Sequence, residues 1–244
     1  MLQNDLTGAA VLIIYYLVFT IFLPTAFKVW LKVASEIVRK IQHISYSLSI
    51  FLLLELFSAW YISILAAFSL VVLGYPILIL IEKSLLYRKT FVDREKKGGE
   101  LRKQLLCVQL SFALLISIFW GFFGIDWRYV IAVAIMAWGF GDAAAALIGK
   151  AYGRKRILHH FIDFGKTYEG TAAMFVFSGL ATFLTLLIYG NHPWHISLFL
   201  SIIVAIVSAI IELFSRRGFD TLTVPLSAAF SIMPLIYLIY FLGW

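Results

Sequence analysis

The chain has 244 residues, of which 62% are hydrophobic and 14% charged, with a formal net charge of +7. A soluble domain averages about 45–50% apolar and about 25% charged residues, so this composition excludes one and leaves an integral membrane protein. The lone cysteine, Cys107, excludes an intrachain disulfide, and no Cys/His cluster has zinc spacing, so any chemistry falls to carboxylates, basic residues and glycines.

Uncharged runs locate the membrane spans, because a charge at the bilayer centre is costly and every backbone group there needs a partner. In chain order they are 6–27, 41–57, 60–81, 104–125, 129–149, 168–189, 193–213 and 221–242. Long continuous apolar runs predict helices, since barrel strands would alternate over about ten residues. The fold expected is therefore all-α, a polytopic single membrane domain over 1–244 with about eight transmembrane helices of about 20 residues each. No basic residue precedes Lys28 and no obvious cleavage site follows the first run, so that run reads as a true helix rather than a signal peptide.

With eight spans the connections alternate sides. Connections 28–40, 82–103, 150–167 and 214–220 hold 4, 8, 5 and 2 basic residues, and Arg128 alone lies on the other side. The basic side is then cytoplasmic and both termini are non-cytoplasmic. The positive charge follows from this bias and from an anionic ligand; no aromatic-studded basic domain is present to bind nucleic acid. The loop 82–103 reads as a solvated basic segment attracted to anionic lipid.

Polar residues interrupt the apolar pattern at four places. Glu36, Arg39, Lys40 and His43 have helical offsets of 0, 3, 4 and 7, one stripe that either snorkels at the interface or contacts phosphate. Asp142 lies inside the fifth run, and an intramembrane carboxylate points to function by default. Around it Gly141, Ala145, Gly149 and Gly153 recur every fourth residue, a small-residue face that allows a neighbouring helix to approach closely. A basic connection starting at Lys150 leads to Lys166, Thr167 and Glu169 at the mouth of the sixth span. There a helix N-terminus and a lysine suit phosphate, although such a lysine also serves as a topological anchor. It is not a P-loop, because His160 stands where glycine is required and no strand precedes it. Last, Glu212 and Asp220 flank Arg216 and Arg217; Asp220 reads as a helix cap or, with Glu212 and Asp142, as a ligand of Mg²⁺. Glu55 lies toward the opposite face, and the histidines at 159, 160, 192 and 195 have no spacing that compels a metal.

Taken in order, Glu36-x-x-Arg39-Lys40-x-x-His43, Gly141-Asp142-x-x-Ala145-x-x-x-Gly149 with Gly153, Lys166-Thr167-x-Glu169-Gly170, and Glu212 followed by Asp220-x-Leu222-Thr223-Val224-Pro225 resemble the CTP-dependent lipid-alcohol kinases. That family includes dolichol kinase, phytol kinase and yeast-type diacylglycerol kinase, and is similar to CDP-diacylglycerol synthases. The four blocks cover about a quarter of the chain. The resemblance implies transfer of the terminal phosphate of CTP, with Mg²⁺, to the hydroxyl of a membrane lipid alcohol at the cytoplasmic interface. It implies Asp142 and Lys166 as catalytic residues, and Asp142, Glu212 and Asp220 as metal ligands. Arg39, Lys40, His43, Lys150, Lys166, Thr167 and Glu169 are implied on the nucleotide phosphates. The acceptor's hydrocarbon is expected between helices lined by Phe and Leu. Many relatives carry Asp-Asp-Asn where Phe219, Asp220 and Thr221 stand here. A phosphatidate cytidylyltransferase shares Lys166-Thr167-x-Glu169-Gly170, but its Lys-Asp signature and paired aspartates are not found. A small-solute transporter would also hold an intramembrane carboxylate, but related halves or broken midplane helices would be expected of it. In a prokaryote the protein would sit in the cell membrane.

Overall fold

A computed structural model describes residues 2–81, 100–163, 165–215 and 218–241. Most of the basic loop 82–103 and both Arg216 and Arg217 lie outside the described residues. The described chain is helical, with no β-strand and one isolated bridge, Arg156 to Thr167. Its contacts group into two compact units, Met1–Ser117 and Ile118–Trp244.

The first unit begins with α1 (Leu2–Tyr15), which continues through a π-helical stretch, Tyr16–Phe22, into α2 (Leu23–Val29). Helix α3 (Ser35–Glu55), α4 (Trp60–Ile81) and α5 (Glu100–Leu115) follow, and a second π-helical stretch, Ile116–Phe122, runs on across the boundary between the units. The widened register is visible where the Leu23 N–H donates to Val18 O, five residues back. Four residues after Thr20 stands Pro24, which has no N–H to donate. Instead the Gln42 side chain on α3 donates to Thr20 O at 3.1 Å. Other polar groups in this unit are met the same way. Tyr16 Oη and Ser49 Oγ lie 2.7 Å apart, Gln109 Nε2 donates to Tyr46 Oη, and Asp5 accepts from the Ser58 N–H at 2.8 Å and its hydroxyl at 2.9 Å.

The second unit is built on α6 (Arg128–Tyr152), buried without interruption from Val130 to Gly139. It packs against α7 (Tyr168–Ile188), α8 (Trp194–Phe214) and α9 (Asp220–Phe241), and α7 also lies along α8. The small-residue face predicted on α6 is the α6–α7 seam. A Cβ added to Gly149 would lie 3.1 Å from Thr167 Oγ1 and 3.4 Å from Gly170 Cα, and one on Gly170 would lie 3.0 Å from the Ala145 carbonyl oxygen. At the far end Trp127 stacks near Tyr237 and Tyr129 meets His192 edge-on, with Trp194 and Tyr240 exposed beside them. Exposed aromatic residues of this kind are common where membrane-embedded helices reach the interface.

Seven described spans are long and apolar enough to cross a membrane: Gln3–Val29, Trp60–Leu80, Arg102–Phe122, Ile125–Tyr152, Tyr168–Ile188, Trp194–Phe214 and Asp220–Phe241. Helix α3 occupies the place of the predicted second span but is not among the seven, because Glu36, Arg39, Lys40, Gln42 and His43 fill its first half.

Two measurements test this packing. Gly170→Leu is expected to lower stability by about 1–3 kcal/mol through overpacking. Gly74→Ala, whose Cβ would meet Leu105 at an ordinary 3.7 Å, is expected to be neutral or to gain up to about 1 kcal/mol; thermal unfolding in detergent reads both. His192, between α7 and α8, has its pKa pushed below the ordinary 6.5 by burial. The folded state then binds fewer protons than the unfolded one, so this contribution is complete above about pH 6.5 and declines as pH falls below it. The expected result is a melting temperature that drops from pH 7 to pH 5 by less in His192→Gln than in the native chain.

Candidate active site

The ends of α6 and α8 and the starts of α7 and α9 meet on one side of the second unit, as the Gly149–Thr167, Lys166–Glu212 and Ser215–Thr223 contacts place them. Between α6 and α7 the chain folds back on itself. The Ile157 N–H donates to Lys166 O at 3.0 Å and the Tyr168 N–H to Lys155 O at 3.2 Å. This pattern makes Arg156 and Thr167 a directly opposed antiparallel pair without hydrogen bonds between them, the closer of the two pairing geometries, with both side chains on one face. Glu169 fastens the base of this hairpin, its Oε1 accepting the Arg154 N–H at 3.1 Å.

Thr167 begins α7 as its N-cap. Its extended backbone (φ −129°, ψ 153°) turns the hydroxyl back to accept the Gly170 N–H at 3.1 Å. A glycine there lets α6 come close enough for Gly149 to pack on the same hydroxyl. Thr167 is buried, so its hydroxyl is committed to the helix start.

Lys166 reaches across to α8. Its ammonium lies 3.0 Å from Glu212 Oε1 and donates to the backbone carbonyls of Glu212 and, at 3.2 Å, Ser215. A lysine has three N–H donors, and here three acceptors at the negative end of α8 engage them. Ser215 Oγ in turn lies 2.6 Å from Thr223 Oγ1 on α9. The expected phosphate lysine thus ties the start of α7 to the end of α8, and Ser215 ties that end to α9.

Asp142 is partly buried on α6, seven residues or roughly 10 Å of helix rise before Gly149. Asp220 is the first residue of α9, the position of a first-turn carboxylate facing the helix dipole. Among the described residues no three His, Cys, Asp or Glu side chains gather as a metal site, so Asp142, Glu212 and Asp220 do not form a three-carboxylate cage. Mg²⁺ does not require one, since it is commonly held by one or two carboxylates with phosphates and waters. One donor suits it: Glu169 Oε2 is buried and accepts no hydrogen bond among the described residues. Lys150 is exposed, one residue beyond Gly149.

Arg39, Lys40 and His43 belong to α3 of the first unit. Arg39 and Lys40 are buried, at 9% and 3% exposure, so they are not snorkelling side chains on a free face. Arg39 pairs with Glu36 one turn earlier, Nη2 to Oε1 at 2.7 Å.

Arg156 escaped the sequence reading. Only a basic connection starting at Lys150 is visible there, and a pairing of so few residues leaves no periodicity to detect. Arg156 is exposed and makes no ion pair among the described residues. The Lys166 knot is tested by a double-mutant cycle. Lys166→Met is expected to cost about 2–3 kcal/mol because two carbonyls and a carboxylate lose a charged donor, and Glu212→Gln about 1 kcal/mol. The pair should cost less than the sum of the singles in thermal unfolding.

No family model and no solved structure matches this chain. A curated protein does: phytol kinase of Synechocystis sp. is 32% identical over 209 residues, which cover 80% of this chain and 77% of that protein. The chain accordingly belongs to the lipid-alcohol kinase family of which phytol kinase is a member.

Proposed function

We propose that the protein transfers the terminal phosphate of CTP to the hydroxyl of a membrane lipid alcohol, with phytol the first acceptor to test and polyprenol and diacylglycerol the next. The likeness to phytol kinase along most of the chain carries the reading. The reaction takes place on the cytoplasmic side of a single eight-span domain with both termini non-cytoplasmic. In this arrangement α3 also crosses, its polar first half lying at the membrane surface, and the basic connections face the cytoplasm. In a prokaryote this is the cell membrane.

Phosphoryl transfer asks a protein mainly to place the acceptor and to neutralise developing charge. The acceptor oxygen bonds to the γ-phosphorus as the bond from that phosphorus to the β–γ bridging oxygen breaks, releasing CDP. Asp142 takes the hydroxyl proton or holds the metal close to the acceptor, and Glu169 Oε2, Glu212 and Asp220 are further carboxylates at this end of the unit. Asp142, Glu169, Glu212 and Asp220 are the residues that would hold Mg²⁺, which would supply charge neutralisation on the phosphates. Lys150 supplies an exposed cation at the end of α6. Lys166 reaches a phosphate by exchanging the Glu212 carboxylate for a phosphate oxygen, which keeps its charge paired in both states. Arg39, Lys40 and His43 are the remaining phosphate candidates.

The test is transfer of label from γ-³²P-CTP, with ATP in parallel, by purified protein with Mg²⁺ and a panel of phytol, polyprenol and diacylglycerol. The expected outcome is labelled lipid phosphate, reduced about 10²–10⁴-fold in Asp142→Asn, the range for loss of a general base. Release of pyrophosphate from CTP with phosphatidate, and no labelled lipid, would assign a cytidylyltransferase instead.

A further inference from the structure

The hairpin that joins α6 to α7 has a second feature that phosphoryl transfer does not use. Its tip exposes two large apolar side chains, Leu158 at 79% and Phe161 at 57% accessibility, on either side of His159 and His160. The tip is also ordered as a turn, with the Ile162 N–H donating to His159 O at 3.0 Å and the rings of His160 and Phe161 3.6 Å apart. Directly behind it stand the exposed cations Arg154, Lys155 and Arg156, with Lys150 at the end of α6. Against these four the segment 150–163 holds one carboxylate, Asp163.

A water-facing turn has no use for an uncovered leucine and phenylalanine beside four cations. Apolar side chains backed by basic ones are the pattern of segments that lie in the membrane interface, with the apolar groups at the acyl boundary and the cations among anionic headgroups. Position agrees with composition. The hairpin connects two helices that are each long and apolar enough to cross a membrane, so its base is at the bilayer surface. Exposed Tyr168, Phe214 and Phe219, on the neighbouring helix ends and the turn before α9, continue the apolar band around the same end of the unit.

We infer that residues 154–163 form a membrane-surface anchor specific for anionic lipid, with Leu158 and Phe161 inserted at the acyl boundary and Arg154, Lys155 and Arg156 on headgroup phosphates. Glu169, through the Arg154 N–H, couples this anchor to the first turn of α7. The inference concerns lipid contact alone and stands or falls separately from the choice of nucleotide and acceptor.

The experiment uses the full chain carrying Cys107→Ser and Phe161→Cys, labelled at 161 with the fluorophore NBD, in nanodiscs of phosphatidylcholine with or without phosphatidylglycerol. The expected result is blue-shifted emission and quenching by nitroxide on the lipid chains, both stronger with phosphatidylglycerol. A triple change of Arg154, Lys155 and Arg156 to Gln should abolish the difference between the two lipids. Emission at the aqueous wavelength in both nanodiscs would overturn the anchor, and equal quenching in both would overturn its preference for anionic lipid. A shift of equal size on adding CTP in detergent without anionic lipid would also overturn it, by assigning the basic segment to the nucleotide.

Discussion

The second unit depends on the missing side chains of Gly149 and Gly170. Helices in a bilayer gain nothing from leaving water, so their association rests on how closely their backbones approach and on polar contacts between them. Where α6 and α7 touch, the Gly170 Cα sits against Gly149, and any Cβ on either residue would meet the Thr167 hydroxyl or the Ala145 carbonyl. That contact sets the start of α7 against α6. The cap at Thr167, the hairpin paired to it through Arg156 and the reach of Lys166 to α8 all take their positions from there. A small-residue stripe, which by itself says only that helices pack, here decides where cations and carboxylates come together.

A second constraint is that polar groups in an apolar surround must be matched. The chain meets it locally and with few spare groups. Thr20 O, deprived of an α-helical donor by Pro24, takes the Gln42 amide; Asp5 takes two donors from Ser58; the open carbonyls at the end of α8 take the Lys166 ammonium. This matching explains why cations stand so deep. Arg39 and Lys40 are almost wholly buried on α3, and Arg39 has its Glu36 partner one turn away on the same helix, in place before any tertiary contact forms.

Much of the architecture was legible because bilayer physics is written in composition. Runs of uncharged residues give the helices, and recurrence at every fourth position from Gly141 to Gly153 gives the packed face of α6. Helix α3 shows where this legibility ends. Its helical stripe from Glu36 to His43 and the apolar run of its second half are both legible, but that Arg39 and Lys40 are buried rather than snorkelling is not, because burial is set by neighbouring elements. The site was legible as a set of blocks and not as an arrangement. Lys166, Thr167 and Glu169 were visible as a motif, yet their division of labour depends on what each touches: α8, the α7 backbone and the Arg154 N–H.

That division bears on how one short motif can serve both the fold and the chemistry. A lysine engaged by a carboxylate and two carbonyls is held in an anionic environment, and a phosphate oxygen offers the same kind of acceptor. In the proposed reaction, exchange of Glu212 for phosphate would change the partner of the charge without leaving it unpaired, whereas a lysine waiting in an apolar surround would have to be desolvated first. Structural pairing and readiness for an anion would therefore be the same property of Lys166 in that reaction.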